Sequence, residues 1–595
     1  MKRREGEEGM EGHKETEMVK HDMENAIHSD SSEHEILPPF LAQKPKGGWR
    51  SIFYILGNES FERLAAMSLI MNLPVYLKTK YNLYGVFLVN VVSIWSGCCN
   101  VLPLVGAFVA EKYLGRFRTL LLGCTASLLG MGMMTITASI PQLRPSPCDS
   151  QTDCQQPDSG DFTCLFAALG LVAIGAGAIR PCCIAFGADQ FPDTTEKGRK
   201  QMQSFYNWWY LSFTATLIIA LLVVIYVQSK ISWVVGFAIP TTCLALSVSM
   251  FLLGRNTYIK IEPQGNVYSN MAKVIVAAIG KGRLARGDEN RMPFYDRPPD
   301  ESVPQVKKLA HTDRFRCVDK AAMIADPSEL NDQGIARNGW RLCSLQQVEL
   351  LKSLMAIAPV WVSGIVSFLA MDQQSVNGIL QVFQMDQSIG PHFQVPPSWF
   401  SVFSMIVLAA WIIIYEFVLP KASLRFSGKK CKRLTIKQRI NIGIVMAILC
   451  MIVAGVVENK RRSLALQNGS FVAPISVAFL LPQYALSGLI EAFAAIAMME
   501  LLTSHVPETL RTVGGAIFFL SLSIASYLTS SLVSGIHGLT AMNGKRPWVG
   551  GKDLNENRLD YYYYVIAGLS VVNLAYFNLF AKKYLSGVGF GGEFL

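Results

Sequence analysis

The chain has 595 residues, of which 51% are hydrophobic and 16% charged, with a formal net charge of +10 and a mean hydropathy of +0.30. Soluble chains carry about a quarter charged residues, and here the charges crowd the first fifty residues, the middle and short loops, leaving long apolar runs between them. This segregation predicts an all-α polytopic membrane protein in a lipid bilayer, and it excludes a nucleic-acid-binding reading of the positive charge.

The first segment, "MKRREGEEGMEGHKETEMVK", has no apolar core of a signal peptide and reads as part of a solvated, disordered tail over 1–47. A bilayer core of roughly 30 Å needs about 20 apolar helical residues. Twelve segments qualify: 52–77, 86–110, 117–140, 162–188, 204–227, 232–254, 350–372, 399–419, 437–457, 472–503, 512–537 and 562–584. They predict a six-helix half over 48–254, a cytoplasmic linker over 255–349, a second six-helix half over 350–584 and a tail over 585–595. Six plus six suits a transporter of two pseudo-symmetric halves with its site between them at the midplane.

Basic loops set the expected orientation. The loop after the second segment has Lys112, Arg116 and Arg118; "KASLRFSGKKCKRLTIKQR" after the eighth has eight Lys and Arg and no acid; the stretch 255–347 has fifteen basic residues against eleven acidic. All fall on one side if both termini are cytoplasmic. Two basic stretches, "ENKRRS" (458–463) and "GKRPWVGGK" (544–552), then fall on the wrong side. Asn468, in Asn468-Gly469-Ser470, becomes an outward glycosylation candidate. Cys148 and Cys154, in a polar loop, are a disulfide candidate if that loop faces an oxidising compartment.

Ionisable groups inside spanning helices suggest function. Glu59, Glu62 and Arg63 share a helical turn, with Glu59 and Arg63 at i,i+4. Two carboxylates cannot both be neutralised by one guanidinium, so one is set to take a proton; the alternative is solvated rim charge. Arg180 interrupts the apolar run 162–188. It either snorkels to the interface or faces the core, where Gly170, Gly175 and Gly177 permit close helix contact. Gln483, Ser487 and Glu491 form one polar stripe at i, i+4 and i+8. A buried Glu491 needs a partner, and Arg180 in the other half is the candidate. Glu500 reads as interfacial. Trp208, Trp209 and Trp361 read as an interfacial belt, with sugar stacking as the alternative. The eight histidines lie in tails, loops or helix ends, and no G-x4-G-K-[ST], H-E-x-x-H or G-x-S-x-G motif occurs. Neither a membrane metal site, ATP drive nor hydrolysis is expected, and no cofactor is implied.

Several motifs resemble the plant nitrate transporter 1/peptide transporter family, part of the proton-coupled oligopeptide transporter group of the major facilitator superfamily. Glu59, Glu62 and Arg63 match its E-x-x-E-R motif. "GAFVAEKYLGRFRT" (106–119) resembles its loop signature, with Glu111 where Asp is usual; "IRPCCIAFGADQF" (179–191) its fourth-segment hallmark, with Arg180 where Lys is frequent; "FYNWWYLSFT" (205–214) its fifth-segment signature. "FRCVDKAA" (315–322), "WRLCSLQQVE" (340–349) and "DLNENRLDYYYY" (553–564) resemble plant-branch markers. The resemblance, over residues 48–584, implies a major facilitator fold of twelve helices and alternating access driven by protons. It also implies proton coupling at Glu59, Glu62 and Arg63, an inter-half pair or substrate site at Arg180 and Glu491, and a gating loop with Glu111, Arg116 and Arg118. Where a nitrate-carrying member has a histidine, this chain has Met371, so nitrate is not held through that contact. Met371, Trp361, Gln483 and Ser487 are cavity candidates. The implied solute is nitrate or a small organic anion, with glucosinolates, other glycosylated metabolites or hormones, and di- or tripeptides, as alternatives. A ligand sensor without net transport is the alternative from another class. A monomer or weak oligomer in the plasma membrane is expected, with the vacuolar membrane as the other address.

Overall fold

The computed structural model describes residues 47–146, 155–191, 195–260, 267–282, 293–296, 309–390, 393–418, 434–504, 511–542 and 546–585. Cys148 and Cys154 lie outside them. Twelve principal helices account for the twelve expected segments: α1 Trp49–Lys80, α2 Gly85–Val109, α3 Gly115–Ser139, α4 Ser159–Ala188, α5 Glu196–Ile219, α6 Trp233–Leu253, α7 Leu345–Gln373, α8 Trp399–Ile413, α9 Ile436–Asn468, α10 Leu481–Ile490, α11 Arg511–Ala541 and α12 Leu559–Tyr576. Among the described residues, eight helical stretches are long and apolar enough to cross a membrane, one of them, Gly85–Ser139, joining α2 to α3. The first turns are capped from the sequence: side chain and backbone close reciprocal boxes at Asp158 and Asp161 before α4, Ser344 and Gln347 before α7, and Thr435 and Gln438 before α9.

α1 packs on α5 and α6, α3 on α4 and α6, and α2 on α4; in the second set α9 packs on α10 and α12, α8 on α10, and α7 on α11. Small residues bring helices close. A Cβ on Gly177 would lie 2.6 Å from Leu102 Cβ, and one on Gly175 would strike Ser127 of α3. Gly170, expected to serve the same purpose, faces open space.

Two helices outrun their predicted ends. α7 continues through a wide π-type turn, Gln374–Gly378, into Ile379–Phe383, and α9 runs to Asn468 instead of stopping near 457. Both extensions carry polar residues that satisfy one another inside the bundle. "ENKRRS" is therefore helix, not loop. Arg461 and Glu458 are both fully buried and paired at 2.8 Å, and Arg462 donates to Asn555 O. This takes Arg461 out of the count of loop charges, because a buried ion pair is not a loop charge; Lys460 and Arg462 remain.

The linker helix, Val267–Gly280, buries Val274 and Ala277 against Val318, Ala321 and Ala322 and the start of α7. Lys352 of α7 holds this layer down, with Nζ 2.6 Å from Asp319 Oδ1 and 2.8 Å from Glu349 Oε1.

The two sets of six meet along α2 and α11. Asn90 Nδ2 donates to Ser534 Oγ at 2.9 Å, Ser530 Oγ to Asn90 Oδ1 at 2.8 Å, and Ser523 Oγ to Gly97 O at 2.8 Å. Ser398 Oγ, before α8, donates to Asn72 Oδ1 of α1 at 2.7 Å. The inter-set hydrogen bonds recorded among the described residues run from the α1–α2 loop end to about mid-depth. At that end Gly85 adopts φ +59°, and a Cβ there would lie 2.5 Å from Gly551 N, so closure depends on two bare backbones meeting. Gly85→Val is expected to open this end. Alkylation of Cys98, whose Sγ lies 3.4 Å from Tyr527 Oη across the seam, should accelerate in the variant; an unchanged rate would show that the seam does not depend on Gly85.

Candidate functional site

α1 delivers Glu59, Glu62 and Arg63 well inside the bundle. Glu59 is 6% and Glu62 3% exposed, so neither is a solvated rim charge. Arg63 donates an N–H to Glu59 Oε1 at 3.3 Å, and Trp209 Nε1 donates to Glu59 Oε2 at 2.7 Å. Both oxygens of Glu59 are thus bonded. Trp209 therefore does not act as a belt residue, whereas Trp208 is exposed as a belt residue would be. Glu62 makes no hydrogen bond or close ion pair among the described residues, yet lies within electrostatic range of Arg63, Arg180 and Glu59.

Arg180 does not snorkel. It donates to Cys99 O at 3.2 Å and Asn100 Oδ1 at 3.1 Å on α2. The result is a cluster of two carboxylates and two guanidinium groups from α1 and α4, roofed by Trp209 of α5. Arg180 and Glu491 are not bonded to each other in this conformation. Glu491 is half-buried, opens a wide π-type turn, Glu491–Ala495, directly after α10, and makes no hydrogen bond among the described residues. Such turns are frequent at functional positions. Glu500 pairs with Arg439 at 2.5 Å.

The remaining candidates are dispersed. Gln483 is fully buried, and its Nε2 donates to Gln374 Oε1 and Gln381 Oε1, both at 3.0 Å. Ser487 is buried, Met371 packs on the main apolar core, and Trp361 Nε1 donates to Ile517 O. Arg116 clamps Asp189 at the end of α4, 2.6 Å to each oxygen. Glu111 sits in the turn joining α2 to α3, and Arg118 is exposed. Asn468 is exposed at the end of α9.

Sequence reasoning missed two groups. Asp372 of α7 accepts from Ser526 Oγ at 3.1 Å, and its second oxygen is buried without a partner among the described residues; in the sequence it stands only as the last residue of the span 350–372. His311, Asp319 and Glu349 bring one ligand atom each within 4.8 Å, but Lys352 Nζ already stands between the two carboxylates as their cation.

A two-set helical bundle with a balanced ionic cluster inside the membrane-spanning region defines a membrane transporter rather than an enzyme. The chain belongs to the POT family, whose model matches residues 117–549. It is 54% identical over 546 residues to Protein NRT1/PTR FAMILY 2.8 of Arabidopsis thaliana, covering 91% of this chain and 96% of that one. It is 41% identical to Protein NRT1/PTR FAMILY 2.13 of the same plant, covering 94% and 90%. The fold matches a crystal structure of an auto-inhibited POT family peptide transporter with a TM-score of 0.64 at 16% identity, covering 90% and 97%. It also matches the POT family transporter PepTSo with a TM-score of 0.63 at 18% identity, covering 90% and 98%.

Proposed function

We propose that the protein is a symporter that couples protons to the movement of one small anion, nitrate or an organic anion, by alternating access. The observation that carries this is Glu62, a buried carboxylate without a hydrogen-bond partner that shares two guanidinium groups with Glu59. Two acids and two bases balance. Protonating Glu62 leaves one guanidinium charge in excess, and a monovalent anion restores neutrality, so proton and anion enter together. Arg180 supplies the charge for the anion, its planar fork suiting an oxyanion, and Glu491 takes up Arg180 in another state of the cycle. The six-helix sets, 48–254 and 350–584, move as bodies around this cluster, with the linker and both termini in the cytoplasm and the plasma membrane as residence. Arg116 and Asp189 then belong to the cytoplasmic gate, and Asn468 faces outward.

The test is anion uptake in oocytes expressing Arg180→Ala and Arg180→Lys, with nitrate and a panel of organic anions. Both variants should reach the surface. Alanine should abolish uptake, and lysine should retain a reduced part of it, keeping the charge without the bidentate geometry. Wild-type uptake in both would remove Arg180 from the solute site.

A further inference from the structure

Asn58 and Glu62 stand at i and i+4 on α1, one turn apart on the same face. A helical side chain leans toward the N-terminus, so Glu62 extends toward the turn that carries Asn58. Asn58 is fully buried. Its Oδ1 accepts from Ser247 Oγ of α6 at 2.6 Å and from Cys124 Sγ of α3 at 3.4 Å. Those two contacts fix the plane of the amide. Its Nδ2 is buried with no hydrogen-bond partner among the described residues. A donor left in this way is costly, and in a folded protein it calls for an explanation.

Glu62 is a nearby acceptor that lacks a donor. The charged and titratable groups acting on it or within its field are Glu59 and Arg63 on α1, Arg180 and Cys183 on α4, Cys99 on α2 and Cys124 on α3. Arg180 gives N–H bonds to Cys99 O and Asn100 Oδ1, and Arg63 gives one to Glu59. Cys124 touches Asn58 and also lies within electrostatic range of Glu62, which puts the amide and the carboxylate in one neighbourhood.

We propose that Asn58 is a positioning residue for the proton step, its Nδ2–H being the donor that meets the ionised Glu62 carboxylate and holds it less firmly once the acid takes its proton. The bond is not made in this conformation; rotation of the Glu62 side chain closes it. This rests on the proton-coupling reading of Glu62. It adds the group that holds the proton-free acid when Arg180 turns to Glu491. An uncharged donor suits that task, because it favours the ionised acid without adding a third positive charge to the cluster.

The experiment follows the Glu62 carboxyl itself, so it does not depend on which solute is carried. Purified full-length protein in detergent is titrated with acid, and the C=O band of protonated carboxyl groups is recorded by infrared difference spectroscopy. The Glu62 band is the one that Glu62→Gln removes. Asn58→Leu keeps the bulk and removes the donor, and should move the midpoint of that band to higher pH by roughly one unit, the loss of one hydrogen bond to a charged acceptor. Asn58→Ser, smaller and still polar, should move it the same way and supplies the measurement if the leucine variant does not fold. A wild-type midpoint in the folded variants overturns the proposal and leaves the proton-coupling reading standing. A shift to lower pH overturns it too, since the amide would then present its oxygen to the protonated acid. If Glu62→Gln removes no titrating band, the coupling reading itself falls, and this proposal with it.

Discussion

Glu62→Gln is expected to abolish anion uptake driven by a proton gradient while leaving the protein at its normal level in the membrane. Glutamine keeps the size of the side chain and resembles the protonated acid, so the fold is undisturbed and the cluster is frozen in its proton-loaded charge state. Counterflow, the exchange of labelled for unlabelled anion without net proton movement, should therefore survive. Loss of both modes would place Glu62 in folding or solute contact rather than in coupling. Gradient-driven uptake at wild-type rate with unchanged pH dependence would make it a static charge. Glu59→Gln is expected to behave differently, because Glu59 already holds Arg63 and the Trp209 indole N–H. The glutamine amide keeps one acceptor oxygen, so one of the two donors is left facing an N–H, and both transport modes should be disturbed.

The asymmetry between these neighbouring acids was only half legible in the sequence. Spacing placed both carboxylates and Arg63 within one turn, and the two-to-one charge count already implied a displaced proton. It could not supply Arg180 as the second guanidinium, or Trp209 as the donor that singles out Glu59, since those contacts join α1 to α4 and α5 over more than a hundred residues. The apolar runs gave the helices in order because the bilayer demands a minimum length. Their ends were misplaced wherever polar residues pair with one another inside the bundle. Gln374, Gln381, Glu458 and Arg461 look like loop residues to any hydropathy argument, yet each is buried against another.

The plant-branch motifs acquire physical roles on the same basis. "FRCVDKAA" supplies Asp319 to Lys352, and "WRLCSLQQVE" supplies the capping box of α7 and Glu349. "DLNENRLDYYYY" supplies Asn555 to Arg461, and Tyr562 and Tyr563 to Gln373 and Gln381. These segments dock the linker and brace the second helix set. They identify the branch without touching the ionic cluster, and for that reason they say little about the solute.

The largest expected loss of stability comes from the brace itself. Arg461 donates to both oxygens of Glu458 at 2.8 Å and to Asn555 Oδ1 at 2.7 Å, and Gln381 Nε2 donates to Glu458 Oε2 at 2.8 Å. α7, α9 and the approach to α12 are thereby tied at one buried pair. Arg461→Ala leaves the Glu458 carboxylate buried with a single neutral donor, and orphaning one member of such a pair costs about 3–5 kcal/mol. Detergent thermal unfolding and surface level should both fall sharply. Glu458→Gln should cost a similar amount by stranding the guanidinium. The double variant Arg461→Met with Glu458→Gln leaves no orphan charge and should cost clearly less than the Arg461→Met and Glu458→Gln losses measured singly and summed. Additive losses, or a wild-type melting curve for Arg461→Ala, would mean that the pair is hydrated in the membrane and does not hold the set together. Recovery of stability in the double variant without recovery of transport would be informative in its own right. Alternating access needs each helix set to move as a body, and a set repaired by apolar packing has regained its stability without regaining the directional bonds that keep α7 in register with α9.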